Sequence, residues 1–336
     1  MSTSIMDFSF GAQAMYTALA AFGLYKAVSL AKGAWFKLSL YKPKLGYFEG
    51  KVIWITGASS GIGRELAKQL VTKVTSKGDE KPLKLILSSR RKEVLEQVKE
   101  ELVDLGSIAS DNIFVLPLDL EKHESLEQSV DAAFRAFGRV DILVNNAGIS
   151  QRSLARMTSS EVYSKLMAID YVGQVTLTQE YVANLVESGA PGHIVMVSSV
   201  AGKLPVPFRS GYCAAKSALN AYADTIRIEL ELEKYPIAVT VINPGGVRTD
   251  VSRNALDSKG KSFGTADAVT MEGMEVDKCV SYMLTGMSNK LDDVIISSNL
   301  ELFAVKLFSF LPLSLATKVM LPKYGKYLKE TLEKVK

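Results

Sequence analysis

The sequence predicts an α/β protein: a doubly wound parallel sheet with helices on both faces, three layers in one domain. Three observations carry this. Short apolar runs of strand length alternate with helical patterns through residues 51–299, and that alternation builds parallel sheets covered on both sides. A glycine-rich turn joins the first run to the first helical pattern. Polar and glycine residues recur just past the ends of the runs, where ligands bind in such sheets. No internal repeat, low-complexity tract or linker divides this body.

The first run, residues 52–55, leads into Thr56-Gly57-Ala58-Ser59-Ser60-Gly61-Ile62-Gly63 and then a helical pattern from Arg64. Strand, glycine turn and helix start form a cradle for a pyrophosphate, because glycine lets the backbone approach and the helix N-terminus offers free N–H groups. The second run, 83–87, is followed by Ser88-Ser89-Arg90-Arg91. An acid there would accept from the ribose 2′-hydroxyl of NAD, whereas Arg pairs with the 2′-phosphate of NADP, so NADP(H) is the expected cofactor. Residues 73–82 read as a solvated loop before this strand. Runs at 113–116, 140–144, 194–197 and 238–242 follow, with helical patterns at 124–137 and 214–233 among them.

Composition narrows the function classes. The 336 residues are 47% hydrophobic and 23% charged, with 24 Gly and 10 Pro. That mix excludes a disordered chain, a collagen-like repeat and a disulfide scaffold. Cys213 and Cys279 permit at most one bridge, and His123 and His193 are the only histidines, so no multi-histidine metal site is possible and no metal is expected. His193 reads as structural, and Cys213 is assigned no role. The net charge is +4, but it is unevenly spread. Residues 1–50 hold five Lys against Asp7 and Glu49, and residues 300–336 hold seven Lys against three Glu. A slightly acidic body with basic, hydrophobic ends is unlike a nucleic-acid binder and suits contact with an anionic membrane.

Residues 8–25 carry no charge and are followed by Lys26, Lys32, Lys37, Lys42 and Lys44. Eighteen residues are at the lower limit for crossing a bilayer, so residues 1–50 read as a hydrophobic segment and basic linker that anchor the protein. A helix packed on the body is the alternative. The lysines after the segment would hold the body, residues 51–299, in the cytosol. Residues 300–336 form a hydrophobic and basic extension, in which Pro312 favours an interfacial helix or a pocket wall over a span. Either reading suits a lipophilic substrate. Arg253 to Met274 is polar and contains glycine.

Chemistry concentrates in Tyr212-Cys213-Ala214-Ala215-Lys216 at the start of a helical pattern. A spacing of four puts Tyr and Lys on one helix face. A free tyrosine titrates near about 10, and a neighbouring cation lowers that toward a useful general acid/base. Ser199, at a strand end, is placed to hold a substrate carbonyl.

Taken together, TGASSGIG, NNAG (145–148), the Ser199/Tyr212/Lys216 trio and NPGGVRTD (243–250) resemble the short-chain dehydrogenase/reductase family in its single-domain form, from about Lys51 to Asp250. The hydrophobic ends resemble its membrane-associated member 7 group. The resemblance implies a Rossmann-type fold and hydride transfer between NADP(H) and a carbonyl or alcohol carbon of a steroid, retinoid or fatty-chain ketone, at the endoplasmic reticulum or another endomembrane, in a homo-oligomer. It implies Tyr212 as proton donor and acceptor, Lys216 as its activator and a grip on the nicotinamide ribose, and Ser199 as the group that orients the substrate oxygen. Gly57, Ser59, Ser60, Gly61, Ile62 and Gly63 would hold the pyrophosphate, and Arg90 the 2′-phosphate. Asp119 and Leu120 would sit by the adenine, Asn146 and Gly148 by the ribose, and Val247 and Thr249 by the nicotinamide amide. The segment 253–274 would cover the substrate like a lid. One position departs from the pattern: Asp170 stands where the family has a fourth catalytic residue, Asn. Its backbone carbonyl can keep the relay to the active Lys, but its carboxylate can pair with Lys216 and blunt the effect on Tyr212. The competing reading is a nucleotide-binding but catalytically weak membrane or partner-binding protein.

Overall fold

The computed structural model describes residues 41–75, 82–318 and 325. Its seven strands are β1 (Val52–Thr56), β2 (Lys84–Ser89), β3 (Ile113–Pro117), β4 (Ile142–Asn145), β5 (Gly192–Val197), β6 (Ile237–Pro244) and β7 (Asp293–Ile296). They form one sheet in the order β3-β2-β1-β4-β5-β6-β7, every neighbouring pair parallel. The order reverses beside β1, which opens a crevice at the carboxyl ends of β1 and β4.

Burial on both faces explains why the inner strands read as unbroken apolar runs, whereas β3 at the sheet edge is partly exposed. Along β1, Ile53 and Ile55 face a layer containing Leu66, Leu70, Leu95 and Met283, while Val52 and Trp54 face Val130, Leu177, Tyr181 and Leu219. Helices α1 (Gly61–Val74), α2 (Lys92–Asp104) and α8 (Val276–Ser288) supply the first layer. The second comes from α3 (Leu126–Phe137), α5 (Gly173–Ser188) and α6 (Ser210–Leu232). The shorter α4 (Ser160–Met167) and α7 (Ala268–Met271) lie among the loops at the strand ends, and α9 (Asn299–Phe310) follows β7.

Six strands match the apolar runs in place. The seventh is Asp-Val-Ile-Ile, too short to register as a run, and α6 begins four residues before the helical pattern becomes visible. The linker end is part of the body: in the turn Leu45–Phe48, Phe48 is fully buried. Beside it the Tyr47 hydroxyl is hydrogen-bonded to His193 Nδ1 at 3.0 Å, and Nε2 of the same ring to Thr240 Oγ1 at 2.9 Å. Burial, with Lys290 and Lys51 adding to it, pushes the His193 imidazole down to about 3, so this ring is a neutral structural crosslink.

At the other end, α9 packs Leu302, Ala304 and Val305 against Val200, Leu204 and Ile295. It stops at Leu311 before Pro312, and a further short helical stretch covers 313–318. The expected anchor at 8–25 and residues 76–81 of the expected loop lie outside the described residues. Among the described residues, no helix is long and apolar enough to cross a membrane.

Candidate active site

A cleft of about 770 Å³ runs along the carboxyl ends of the strands. At one end it is lined by Gly57, Ser59, Ser60, Gly61 and Ile62, between β1 and the first turn of α1. Gly57 and Gly61 have φ of +68° and +53°, a left-handed backbone that glycine adopts without penalty. A Cβ on Gly57 would stand 2.8 Å from the Ala147 Cα. The β4 loop therefore closes tightly on the turn, and Asn146 Nδ2 donates to the Thr56 carbonyl at 2.8 Å. Gly63 does not line the cleft. Its missing Cβ would lie 2.5 Å from the Gly57 carbonyl oxygen, so Gly63 works by letting α1 approach the end of β1. The remaining turn residues leave the helix N-terminus facing the cleft, a cradle shaped for a diphosphate.

Arg90 and Arg91, both exposed, line the same end of the cleft just past β2, and no acid stands beside them in the chain. Asp119 and Leu120 follow β3, and Asn146 and Gly148 follow β4 on the cleft wall. Val247 and Thr249, past β6, also line it.

The cleft continues to Ser199, Tyr212 and Lys216. β5 ends next to Ser199, whose Oγ accepts from the Ala201 N–H at 3.1 Å and donates to the Pro244 carbonyl at 3.3 Å. That donation is long for a hydroxyl, so a substrate oxygen can take it over. Tyr212 and Lys216 lie one turn apart on α6, with the ammonium 5.8 Å from the Tyr212 ring centroid. Lys216 is almost fully buried and donates to the Val197 carbonyl at 3.2 Å. Its charge is thereby held within reach of the phenol. Cys213, the next residue to Tyr212, turns away: its Sγ accepts from the Val206 N–H at 3.4 Å.

Asp170 lies just behind this wall. It sits in a single wide π-type turn, Ala168–Val172, that joins α4 to α5, a kind of irregularity common at functional sites. His123 Nε2 donates to the Ala168 carbonyl in that turn at 3.0 Å. The Asp170 side chain is fully buried, and Oδ1 accepts from the Ile149 N–H at 2.8 Å. Gly148 separates it from the cleft, since a Cβ there would meet Asp170 Oδ1 at 3.2 Å and Lys216 Nζ at 3.3 Å. Burial pushes the Asp170 carboxyl up to about 6, against the pull of Lys216 and the Ile149 N–H. At 3.9 Å the ammonium is too far to offset the loss of water completely.

A tyrosine, a lysine and a serine hydroxyl lining one cleft with the glycine turn suit proton transfer to or from a carbonyl oxygen. Residues 51–260 match the short chain dehydrogenase family. The chain belongs to the short-chain dehydrogenase/reductase family. It is 41% identical over 263 residues to human dehydrogenase/reductase SDR family member 7, covering 78% of this chain and 74% of that protein. It is 38% identical to the Drosophila melanogaster SDR family protein 7-like, covering 74% and 73%. Among solved structures, a short-chain dehydrogenase/reductase from Burkholderia phymatum in complex with NAD superposes with a TM-score of 0.66 at 21% identity, over 77% of this chain and 93% of that one. A Sphingobium yanoikuyae short-chain dehydrogenase in complex with NADPH gives 0.60 at 27%, over 73% and 87%. Membership makes this chain an oxidoreductase of the dehydrogenase/reductase type.

As a short-chain dehydrogenase/reductase, the chain builds its site partly from residues that the motifs do not mark. Glu301 lines the cleft and accepts from the Gly246 N–H at 3.0 Å, tying the start of α9 to the loop after β6. It also closes a capping box with Ser298, and Ser-x-x-Glu before an apolar run is a signature visible in a sequence. Arg209 lines the cleft three residues before Tyr212, and nothing in its local sequence distinguishes it.

Proposed function

We propose that this protein is a membrane-attached, NADP(H)-dependent reductase or dehydrogenase acting on the carbonyl or alcohol carbon of a lipophilic substrate. The observation that carries this is the single cleft that joins the glycine cradle to Ser199, Tyr212 and Lys216. The fit of a dinucleotide rests on the cradle itself, where left-handed Gly57 and Gly61 turn the chain from β1 into the N-terminus of α1 at the cleft.

When bound, the nicotinamide supplies a hydride to the substrate carbon in reduction and takes it back in oxidation. Tyr212 gives its proton to the carbonyl oxygen in the first direction and accepts it in the second. Lys216 holds positive charge beside the phenol, which favours the phenolate that Tyr212 must become, and it grips the nicotinamide ribose. Ser199 donates to the same substrate oxygen and fixes its direction. Asn146 and Gly148 would hold the ribose, Asp119 and Leu120 the adenine, and Val247 and Thr249 the amide of the nicotinamide.

Arg90 and Arg91 support the 2′-phosphorylated form of the cofactor, because a guanidinium pairs with phosphate where an acid would repel it. Ile149, Val200, Leu204, Val206 and Leu256 line the substrate end and support an apolar ligand such as a steroid, retinoid or fatty-chain ketone. Membrane attachment, at the endoplasmic reticulum or another endomembrane, rests on the uncharged residues 8–25 and the lysines after them.

The test is NADPH oxidation by the detergent-solubilised protein over a panel of steroid, retinal and aliphatic ketones, with Tyr212→Phe alongside. Turnover that vanishes in the variant is the expected result. NADPH binding without turnover on any ketone would replace this reading with that of a nucleotide-binding protein.

A further inference from the structure

Arg152, Arg209 and Asp267 form a buried charged cluster beside the substrate end of the cleft, and the chemistry above does not use it. Asp267 Oδ2 pairs with the Arg209 guanidinium and lies 3.6 Å from Arg152 NH2. Arg152 and Asp267 side chains are each 4% exposed. Arg152 donates to the carbonyls of Ser252 at 3.2 Å and Thr265 at 2.9 Å, and its guanidinium lies 4.2 Å from the Phe263 ring centroid. Asp267 Oδ1 accepts from the Thr270 N–H at 2.8 Å, and Arg209 NH1 donates to Ser150 Oγ at 3.1 Å.

These contacts join three pieces of chain. The segment 252–270 crosses the substrate end, where Asn254, Leu256, Ser262 and Thr270 line the cleft. Residues 150–153, past β4, are buried and pair with it through the Leu256 N–H to the Ser150 carbonyl at 2.8 Å and the Arg152 N–H to the Leu256 carbonyl at 2.8 Å. The third piece is the entry to α6. There the Ser153 N–H donates to the Phe208 carbonyl at 3.0 Å, and the Gly211 N–H to Gln151 Oε1 at 2.8 Å. Phe208 holds a left-handed backbone, φ +66°, a conformation that persists where its surroundings enforce it.

We propose that Asp267 is a positioning residue that latches the 252–270 segment over the cleft and, through Arg209, sets the start of α6 and so the place of Tyr212. A buried guanidinium, Arg152, and a partly buried one at the cleft edge, Arg209, share one carboxylate, so removing its charge leaves Arg152 as a cation in a dry site, which is costly. Apart from the short α7, segment 252–270 has no helix or strand, so opening it is the cheapest way to return water to Arg152. Burial alone would raise the Asp267 carboxyl, but Arg209, Thr270 and Arg152 outweigh it and hold the group below its ordinary value. The carboxylate form is the one the latch needs.

The kinetic arm of the test rests on the reductase reading, and the exchange arm does not. Asp267→Asn keeps the shape and removes the charge. Hydrogen exchange of the full-length, nucleotide-free protein is expected to rise about tenfold in 252–270, with the sheet unchanged. The ketone KM is expected to rise about tenfold with NADPH affinity within about twofold, and Asp267→Glu to recover part of both. If Asp267→Asn fails to fold, Arg152→Lys, which keeps the charge but loses the fork to Ser252 and Thr265, should show the same pattern. Unchanged exchange in 252–270 overturns the latch. So does a loss of protection spread over the whole sheet, which marks a merely structural role, or a faster-exchanging segment with an unchanged ketone KM. If no ketone is turned over even by the wild type, the reductase reading fails and the exchange result alone decides the latch.

Discussion

The carboxylate of Asp170 and the ammonium of Lys216 face each other across 3.9 Å, and among the described residues Asp170 Oδ2 has no hydrogen-bond partner. Lys216, one helix turn from Tyr212, thus has a buried acid beside it. Lys216 across that gap and the hydrogen bond from the Ile149 N–H compensate the carboxylate in part. Burial outweighs both and holds the carboxyl above its ordinary range.

Replacing Asp170 by Asn should therefore leave reduction standing or raise it, because Lys216 is released toward Tyr212. The folded carboxyl titrates near 6 and the unfolded one near 3.8, so the folded state binds this proton more tightly. Its favourable contribution is fully present below about 4 and is lost as pH rises through 6. Asp170→Asn should then be more stable than wild type at pH about 8, by up to the order of 3 kcal/mol, with the gap closing toward pH about 4. Urea denaturation of both proteins at several pH values checks this. A complete loss of turnover would mean that the carboxylate itself is needed.

Tyr212→Phe should lower turnover by about 10²- to 10⁴-fold, the usual worth of a positioned general acid. Nucleotide affinity should change little, since the cradle is built elsewhere. Fluorescence titration with NADPH beside steady-state rates separates the two.

Changing Arg90 and Arg91 together to Ala should weaken NADPH binding by about tenfold to a hundredfold while leaving NADH nearly unaffected. Equal weakening of both nucleotides would show that the arginines do not read the 2′-phosphate.

His193 makes an opposite prediction to Asp170 over nearly the same pH range. Its folded value is near 3 and its unfolded value near 6.5, so its stabilising share is intact above about 6.5 and is lost as pH falls toward 3. At pH about 5 the loss is on the order of 2 kcal/mol. His193→Gln should flatten this part of the stability profile, at some cost at neutral pH from the altered bonds to Tyr47 and Thr240. An unchanged acid limb in the variant would assign the loss to other groups.

How much of this was legible depended on whether the cause was local. Gly57 and Gly61 were readable because a tight turn between strand and helix demands left-handed residues, and Tyr212 with Lys216 because one helix turn brings them together. Gly63 carries the same motif letter but serves helix packing, a distinction that only the three-dimensional approach of α1 to β1 makes. β7 escaped because its burial comes from β6 and α8 rather than from its own length. The Arg152–Asp267–Arg209 cluster had no sequence signal at all, since each residue is an ordinary charge until the chain folds them together. Glu301 lay between these cases: its capping box is local, but its bond to Gly246 is not.

That bond has a consequence for how the site is laid out along the chain. The glycine turn and β1 to β4 lie before residue 146, and Tyr212 and Lys216 before residue 217. Up to that point the cleft wall lacks Glu301 and Ala304. Part of the cleft wall is thus encoded after the last strand, and a chain ending just after β7 would lack Glu301, its bond to Gly246 and Ala304.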